Sequence, residues 1–191
     1  LGANNEHTRG TILEFKTRLT NIISQAQDRI IFSLFSSDIN RIQQIVDIAV
    51  EHDKKIAIIG RKTQKLVNQA MQLGYLNVPN KCLANLRYID EKNDNNDKDL
   101  VVLVTGERHE PYFMLQRMAR GIDRLIHMTP NDTVVTLTNP YEGTEKMAAR
   151  TMDIIYHVTS KVKEFSKTLL PTSSANREEI KQMINILKPK Y

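Results

Sequence analysis

Four short clusters in this sequence carry residue types able to bind phosphate. Ser36, Ser37 and Asp38 follow the apolar run Ile30–Phe35, with Arg41 three residues further on. Arg61 and Lys62 follow Gly60 at the end of Ile56–Ile59. Thr105-Gly106-Glu107-Arg108 follows Leu100–Val104, and Thr138-Asn139-Pro140 follows Thr133–Leu137. Hydroxyls and backbone N–H groups at helix starts receive anions, and arginine adds charge in a planar fork. Ser36, Ser37 and Asp38 are also good helix N-caps, so capping alone and capping plus phosphate contact are both open readings. Glu107 and Glu110 repel an anion, which makes the Thr105 loop the weakest part of this set.

Other chemistries have less support. Neither G-x-x-x-x-G-K nor G-x-G-x-x-G occurs, which argues against a nucleoside triphosphatase or a dinucleotide dehydrogenase. The five histidines, at 7, 52, 109, 127 and 157, never pair at the short spacings of metal ligands. His109 alone follows a strand end. Cys82 is the single cysteine, so there is no internal disulfide and no cysteine metal cluster.

The elements that must position these clusters are readable from periodicity. Ile30–Phe35 and Ile56–Ile59 are apolar throughout, as strands buried on both faces are. Between them, Ile39, Ile42, Ile45, Val46 and Ala49 recur at helical spacing. Strand, helix, strand of this kind is a βαβ unit, and open parallel sheets bind ligands at the carboxyl ends of their strands. Leu100–Val104 and Thr133–Leu137 add two strands, and Lys161–Leu170 holds a weak fifth. Helices are expected over Arg9–Gln27 with Thr8 as cap, Thr63–Leu73 stopped by Gly74, Pro111–Ala119, Thr144–His157 capped by Thr144, and Asn176–Leu187. In the last, Ile180, Met183, Ile184 and Leu187 are expected to face inward. Tyr75–Lys98 reads as a long polar connection. The expected fold is α/β: a three-layer parallel, Rossmann-like sheet flanked by helices, one domain over residues 1–191.

The 191 residues are 40% hydrophobic, enough for one core, and no apolar run reaches membrane-spanning length. No signal peptide is evident, and a cytoplasmic location with no membrane partner is expected. The formal net charge of +5 favours an anionic partner. Between Lys161 and Tyr191, seven Lys/Arg face three Glu. A missing initiator Met and an abrupt end at Tyr191 suggest an excised fragment.

From Phe35 the sequence reads Phe-Ser-Ser-Asp-Ile-Asn-Arg-Ile-Gln-Gln. This resembles Phe-Ala-Ser-Asn-Ile-His-Arg-Val-Gln-Gln of the β-CASP domain of bacterial ribonuclease J. The likeness continues through Ile59-Gly60-Arg61, Leu73-Gly74-Tyr75-Leu76, Thr105-Gly106, Glu110-Pro111, Arg117-Met118-Ala119 and Pro130–Val134. It runs on to Glu178-Glu179 and Asn185–Tyr191, covering nearly the whole chain in order. The resemblance implies a β-CASP domain inserted in a metallo-β-lactamase domain of a longer chain. It also implies RNA in the cleft between the two, and zinc or manganese in the missing part. No cofactor is expected in this domain.

The departures bear on activity. The family carries His-x-Ser-Gly-His before its Glu-Glu-Leu-Lys helix, a loop that holds a nucleotide phosphate beside the metals. Here the matching residues are Leu170, Pro171, Thr172, Ser173 and Ser174. Both histidines are replaced, and leucine neither bonds a phosphate nor carries a proton. The family's Thr-Gly-Ser-Gln-Gly-Glu-Pro has become Thr105-Gly-Glu-Arg-His-Glu-Pro111. The resemblance therefore points to the degenerate second paralogue, catalytically weak or inactive. It would contact RNA through Ser36, Ser37, Asp38, Arg41, Arg61, Lys62, Thr105, Arg108, Asn139 and the Leu170–Ser174 loop. Its other implied partner is an active ribonuclease J paralogue in a hetero-oligomer, or a second copy of itself. Two rivals stand beside this reading: part of an active metal-dependent 5′–3′ exo- or endoribonuclease with His109 or Arg108 as substitute groups, and an assembly scaffold without RNA contact.

Overall fold

A computed structural model of the chain describes residues 11–60, 63–84, 98–166, 169–170 and 175–190. These residues form five strands: β1 Ile30–Phe35, β2 Lys55–Ile59, β3 Leu100–Gly106, β4 Thr133–Thr136 and β5 Val162–Glu164. They also form six helices: α1 Ile12–Gln25, α2 Ile39–Glu51, α3 Thr63–Gln72, α4 Glu110–Ala119, α5 Glu145–Tyr156 and α6 Arg177–Leu187. The sheet is parallel throughout, in the order β2-β3-β1-β4-β5. The expected α/β sheet is present, with β1 at its centre.

Alternation along the strands explains the layers, because successive side chains point to opposite faces. Ile30, Phe32 and Leu34 of β1 join Ile56, Ile58, Val101 and Leu103 against Phe15, Leu19 and Ile23 of α1 and Ile42, Ile45 and Ala49 of α2. Ile31 joins Ala57, Val102, Val104 and Val134 against Leu115 and Met118 of α4 and Ile155 of α5. Both faces of the sheet are thus covered, which is why the strands read as unbroken apolar runs.

Several expectations change in detail. β1 and β2 are parallel and joined by α2, yet β3 lies between them. All seven residues of β3 are buried, which suits an interior position. The described start of the connection after α3, residues 75–84, is less solvated than its polar composition suggests. Leu76 and Val78 are buried, and Leu83 forms a parallel bridge to Ile56 beyond β2. The cap of α1 is Thr11, whose hydroxyl accepts from the Glu14 N–H while the Glu14 carboxylate accepts from the Thr11 N–H. Thr8 lies outside the described residues. Ile12, in the first turn of α1, is 63% exposed.

Two corrections have clear causes. Thr144 precedes α5 but does not cap it: its hydroxyl donates to the Tyr141 carbonyl and accepts from the Tyr141 N–H. Its backbone is already in the helical region, so the side chain is aimed back at the turn. The inward face expected for α6 is not buried. No residue of α6 is buried, and Met183, Ile184 and Leu187 are all more than half exposed. The helix is well formed, with an Asn176–Glu179 capping box, but the two sheet faces are already occupied by other helices.

Candidate nucleic-acid interface

The parallel sheet brings the carboxyl ends of β2, β3, β1 and β4 to one rim. The two central ends are welded together: the Ser36 N–H donates to the Gly106 carbonyl at 3.0 Å, extending the β1–β3 ladder into the loops. Ser36 is buried and Ser37 is exposed. Asp38 is the N-cap of α2, and its carboxylate accepts from the Arg41 N–H. The same carboxylate pairs with the Arg41 guanidinium at 2.8 Å. That guanidinium also lies 5.4 Å over the Phe15 ring, a cation–π contact. Burial lowers the Arg41 pKa, and the Asp38 charge opposes that shift. Arg41, read from sequence as a phosphate contact, is thus held at the rim with its charge matched by Asp38.

Thr105 is fully buried, with its hydroxyl directed to the Ile59 carbonyl of the neighbouring strand. It ties strand ends together rather than facing outward. Gly106 permits the start of α4 to close on the strand end: a Cβ there would lie 2.7 Å from Glu110 Cβ and 3.1 Å from Pro111 Cδ. The Glu110 carboxylate accepts from the Glu107 N–H at 3.0 Å, using one of the N–H groups that a phosphate would otherwise receive. Arg108 is exposed and holds φ at +47°, in the left-handed region. His109 sits at the N-cap of α4 without a side-chain capping bond, its ring in a T-shaped contact with Phe113.

At the end of β4, the buried Thr138 hydroxyl bonds Ser33 at 2.9 Å, and its carbonyl accepts from the Tyr112 hydroxyl. Burial raises the Tyr112 pKa, so this phenol stays a donor. Asn139 is half-buried beside it. Leu170 is 6% exposed and belongs to the apolar core cluster with Phe165. Arg61, Lys62, Pro171, Thr172, Ser173 and Ser174 lie outside the described residues.

The structure therefore gathers Ser36, Ser37, Asp38, Arg41, Thr105, Arg108 and Asn139 near adjacent strand ends, but gives them different jobs. Ser36 and Thr105 brace the rim, while Ser37 and Arg108 are exposed on it. Sequence reading missed the groove beside α2, which Phe35, Ser37, Asn40, Gln44 and Tyr75 line. Tyr75 reaches it because the Gln43 side chain clamps the next turn, accepting from the Asn77 N–H and donating to the Asn77 carbonyl. A glutamine on the polar side of a helix carries no periodic signal for such a contact. Among the described residues no group of three or more His, Cys, Asp or Glu side chains is placed to hold a metal. No helix among them is long and apolar enough to cross a membrane.

Comparison with known proteins agrees with this architecture. The family described as ribonuclease J, beta-CASP domain, matches residues 27–155. The chain is 29% identical over 173 residues to Ribonuclease J2 of Bacillus subtilis (strain 168), covering 91% of this chain and 31% of that protein. It is 30% identical over 178 residues to Ribonuclease J 2 of Streptococcus pyogenes serotype M3, covering 93% and 32%. It is also 30% identical over 192 aligned positions to Ribonuclease J of Helicobacter pylori (strain 26695), covering 98% and 27%. The chain thus spans less than a third of the length of these curated relatives. A parallel β2-β3-β1-β4-β5 sheet, with its loops gathered at one rim and the family match running from β1 into α5, shows that the chain belongs to the ribonuclease J β-CASP domain family.

Proposed function

We propose that this chain is the RNA-holding β-CASP part of a ribonuclease J-type protein of cytoplasmic RNA processing and decay, inserted in a metallo-β-lactamase domain. It contributes positioning and no catalytic group. Zinc or manganese would be bound outside this domain, whose described residues offer no donor set for either. The observation that carries the reading is the rim itself: the strand ends meet there, braced by the Ser36–Gly106 bond and carrying outward Ser37 and Arg108. Weak or absent cleavage is supported by Leu170, an apolar core residue where the family motif has histidine. Removal of one acid–base group costs roughly 10²–10⁴-fold in rate. Binding of a 5′-phosphorylated single-stranded RNA should weaken steeply as salt rises, because phosphate contacts release counterions. Cleavage by the full-length protein, purified free of any paralogue, should be slower by that factor than by a relative with both histidines. Equal cleavage rates would refute the loss of activity, and absence of binding at low salt would refute RNA holding.

A role in assembly, with an active paralogue or a second copy, is favoured by the exposed apolar face of α6, where Met183, Ile184 and Leu187 meet solvent. Sedimentation of the wild type against Ile184→Lys tests it. A lighter species in the variant supports assembly through α6, and unchanged sedimentation removes it.

A further inference from the structure

We infer that the groove between the start of α1, the first half of α2 and the turn after α3 is a nucleobase subsite, with the Tyr75 ring as its stacking platform. The inference rests on the RNA-holding reading above and specifies where a base is received.

Tyr75 is 72% exposed, an unusual position for an aromatic ring that follows a buried helix face. Its backbone is nonetheless held in place. Gly74, at φ +76°, ends α3, and the Tyr75 N–H donates to the Ala70 carbonyl at 2.8 Å. The next residues are anchored on both sides of the chain. Leu76 and Val78 are buried in the core, and Asn77 is clamped by Gln43 through bonds of 2.7 and 3.1 Å. An exposed ring on a fixed turn is pre-organised to stack, since little freedom is lost on binding.

The rest of the groove offers hydrogen bonds. Ser37, Asn40 and Gln44 share the groove of about 840 Å³ with Tyr75, within the size range of small-ligand sites. Among the described residues, none of these three side chains is engaged in a hydrogen bond. A carboxamide both donates and accepts, which suits the edge of a base. An exposed ring beside carboxamides matches an unstacked base of single-stranded RNA, recognised by stacking and by its edge. A duplex keeps its bases stacked and cannot use such a platform.

Fluorescence anisotropy of the 191-residue chain with a labelled single-stranded RNA tests this. Tyr75→Ala should weaken binding about tenfold, the order expected for one stacked base. Tyr75→Phe, which keeps the ring face, should stay within about twofold of wild type. Scanning a single abasic position along the RNA should find one site that costs wild type as much as Tyr75→Ala, and adds nothing to Tyr75→Ala. Wild-type affinity in Tyr75→Ala, with salt-dependent binding intact, would overturn the stacking subsite and leave the RNA reading standing. Equal losses in Tyr75→Phe and Tyr75→Ala would also overturn it, because the ring face would not be the contact. Failure of the wild type to bind at low salt would remove both. The abasic scan needs only wild-type protein, so a scan with no sensitive position overturns the subsite even if a variant misfolds.

Discussion

Asp38→Asn should make this domain bind RNA more tightly. In the native chain the Asp38 carboxylate lies 2.8 Å from the Arg41 guanidinium, with the arginine side chain 15% exposed and the aspartate 32% exposed. Asparagine caps a helix about as well as aspartate, so the bond to the Arg41 N–H has a replacement. The lost ion pair is partly exposed and contributes about 1 kcal/mol or less. For a domain of this size, the melting temperature should then fall by no more than about 2–4 °C. The binding effect runs the other way. A phosphate seated against Arg41 would lie about 7 Å from the Asp38 charge, a repulsion of about 2 kcal/mol at an effective dielectric of 20. A screening length of about 8 Å at physiological salt reduces this to about 1 kcal/mol, roughly fivefold in affinity. One added phosphate contact steepens the salt slope by about 0.7 for a single strand, about 2.6-fold more affinity lost between 50 and 200 mM salt. Anisotropy titrations of 5′-phosphorylated single-stranded RNA across that range read both quantities. A variant that folds normally but keeps the wild-type affinity and slope would refute the role of Arg41 as a phosphate contact masked by Asp38.

Three further perturbations probe the frame around the rim. Gly106→Ala places a Cβ 2.7 Å from Glu110 Cβ, so it should destabilise by ~1–3 kcal/mol as α4 is pushed from the strand end; a melting temperature equal to wild type would show that α4 yields without cost. Arg29 and Asp132 form a two-bonded buried pair at the amino ends of β1 and β4, opposite the rim, with Arg29 also donating to the His127 carbonyl. Asp132→Ala leaves that charge uncompensated and should cost roughly 3–5 kcal/mol, whereas Arg29→Met with Asp132→Leu should recover much of the loss; chemical denaturation compares them. The Glu14 carboxyl is held below the usual carboxylate range, chiefly by the backbone hydrogen bond from Thr11. Because its folded pKa is depressed, its support of the α1 start is complete above the unfolded value and is lost as the pH falls through the folded value. Amide exchange at Thr11–Phe15 should therefore rise in acid in the wild type, and depend less on pH in Glu14→Gln.

Much of this fold was legible before any coordinates. Ile30–Phe35, Ile56–Ile59, Leu100–Val104 and Thr133–Leu137 read as strands because both their faces are apolar. The helices followed from 3.6-residue spacing, and Asp38 from its capping chemistry. These signals are local: each depends on residues a few positions apart, so the chain states them directly. The place of β3 between β1 and β2 is not local, because all the strands are apolar and any order would satisfy the same pattern. The exposed face of α6 shows the same limit, since amphipathicity says that a helix has an apolar side and not that anything covers it. At the rim, the sequence determined which polar groups follow the strand ends, through turn and cap residues. Only the tertiary structure decided what each group does there. Thr105 turns to the Ile59 carbonyl, Arg41 is matched by Asp38 and stacked on Phe15, and Tyr75 is held out by a clamp between Gln43 and Asn77, 34 residues apart. The reason is physical: hydrogen bonds and ion pairs act over a few ångströms, and folding alone chooses which distant residues come that close.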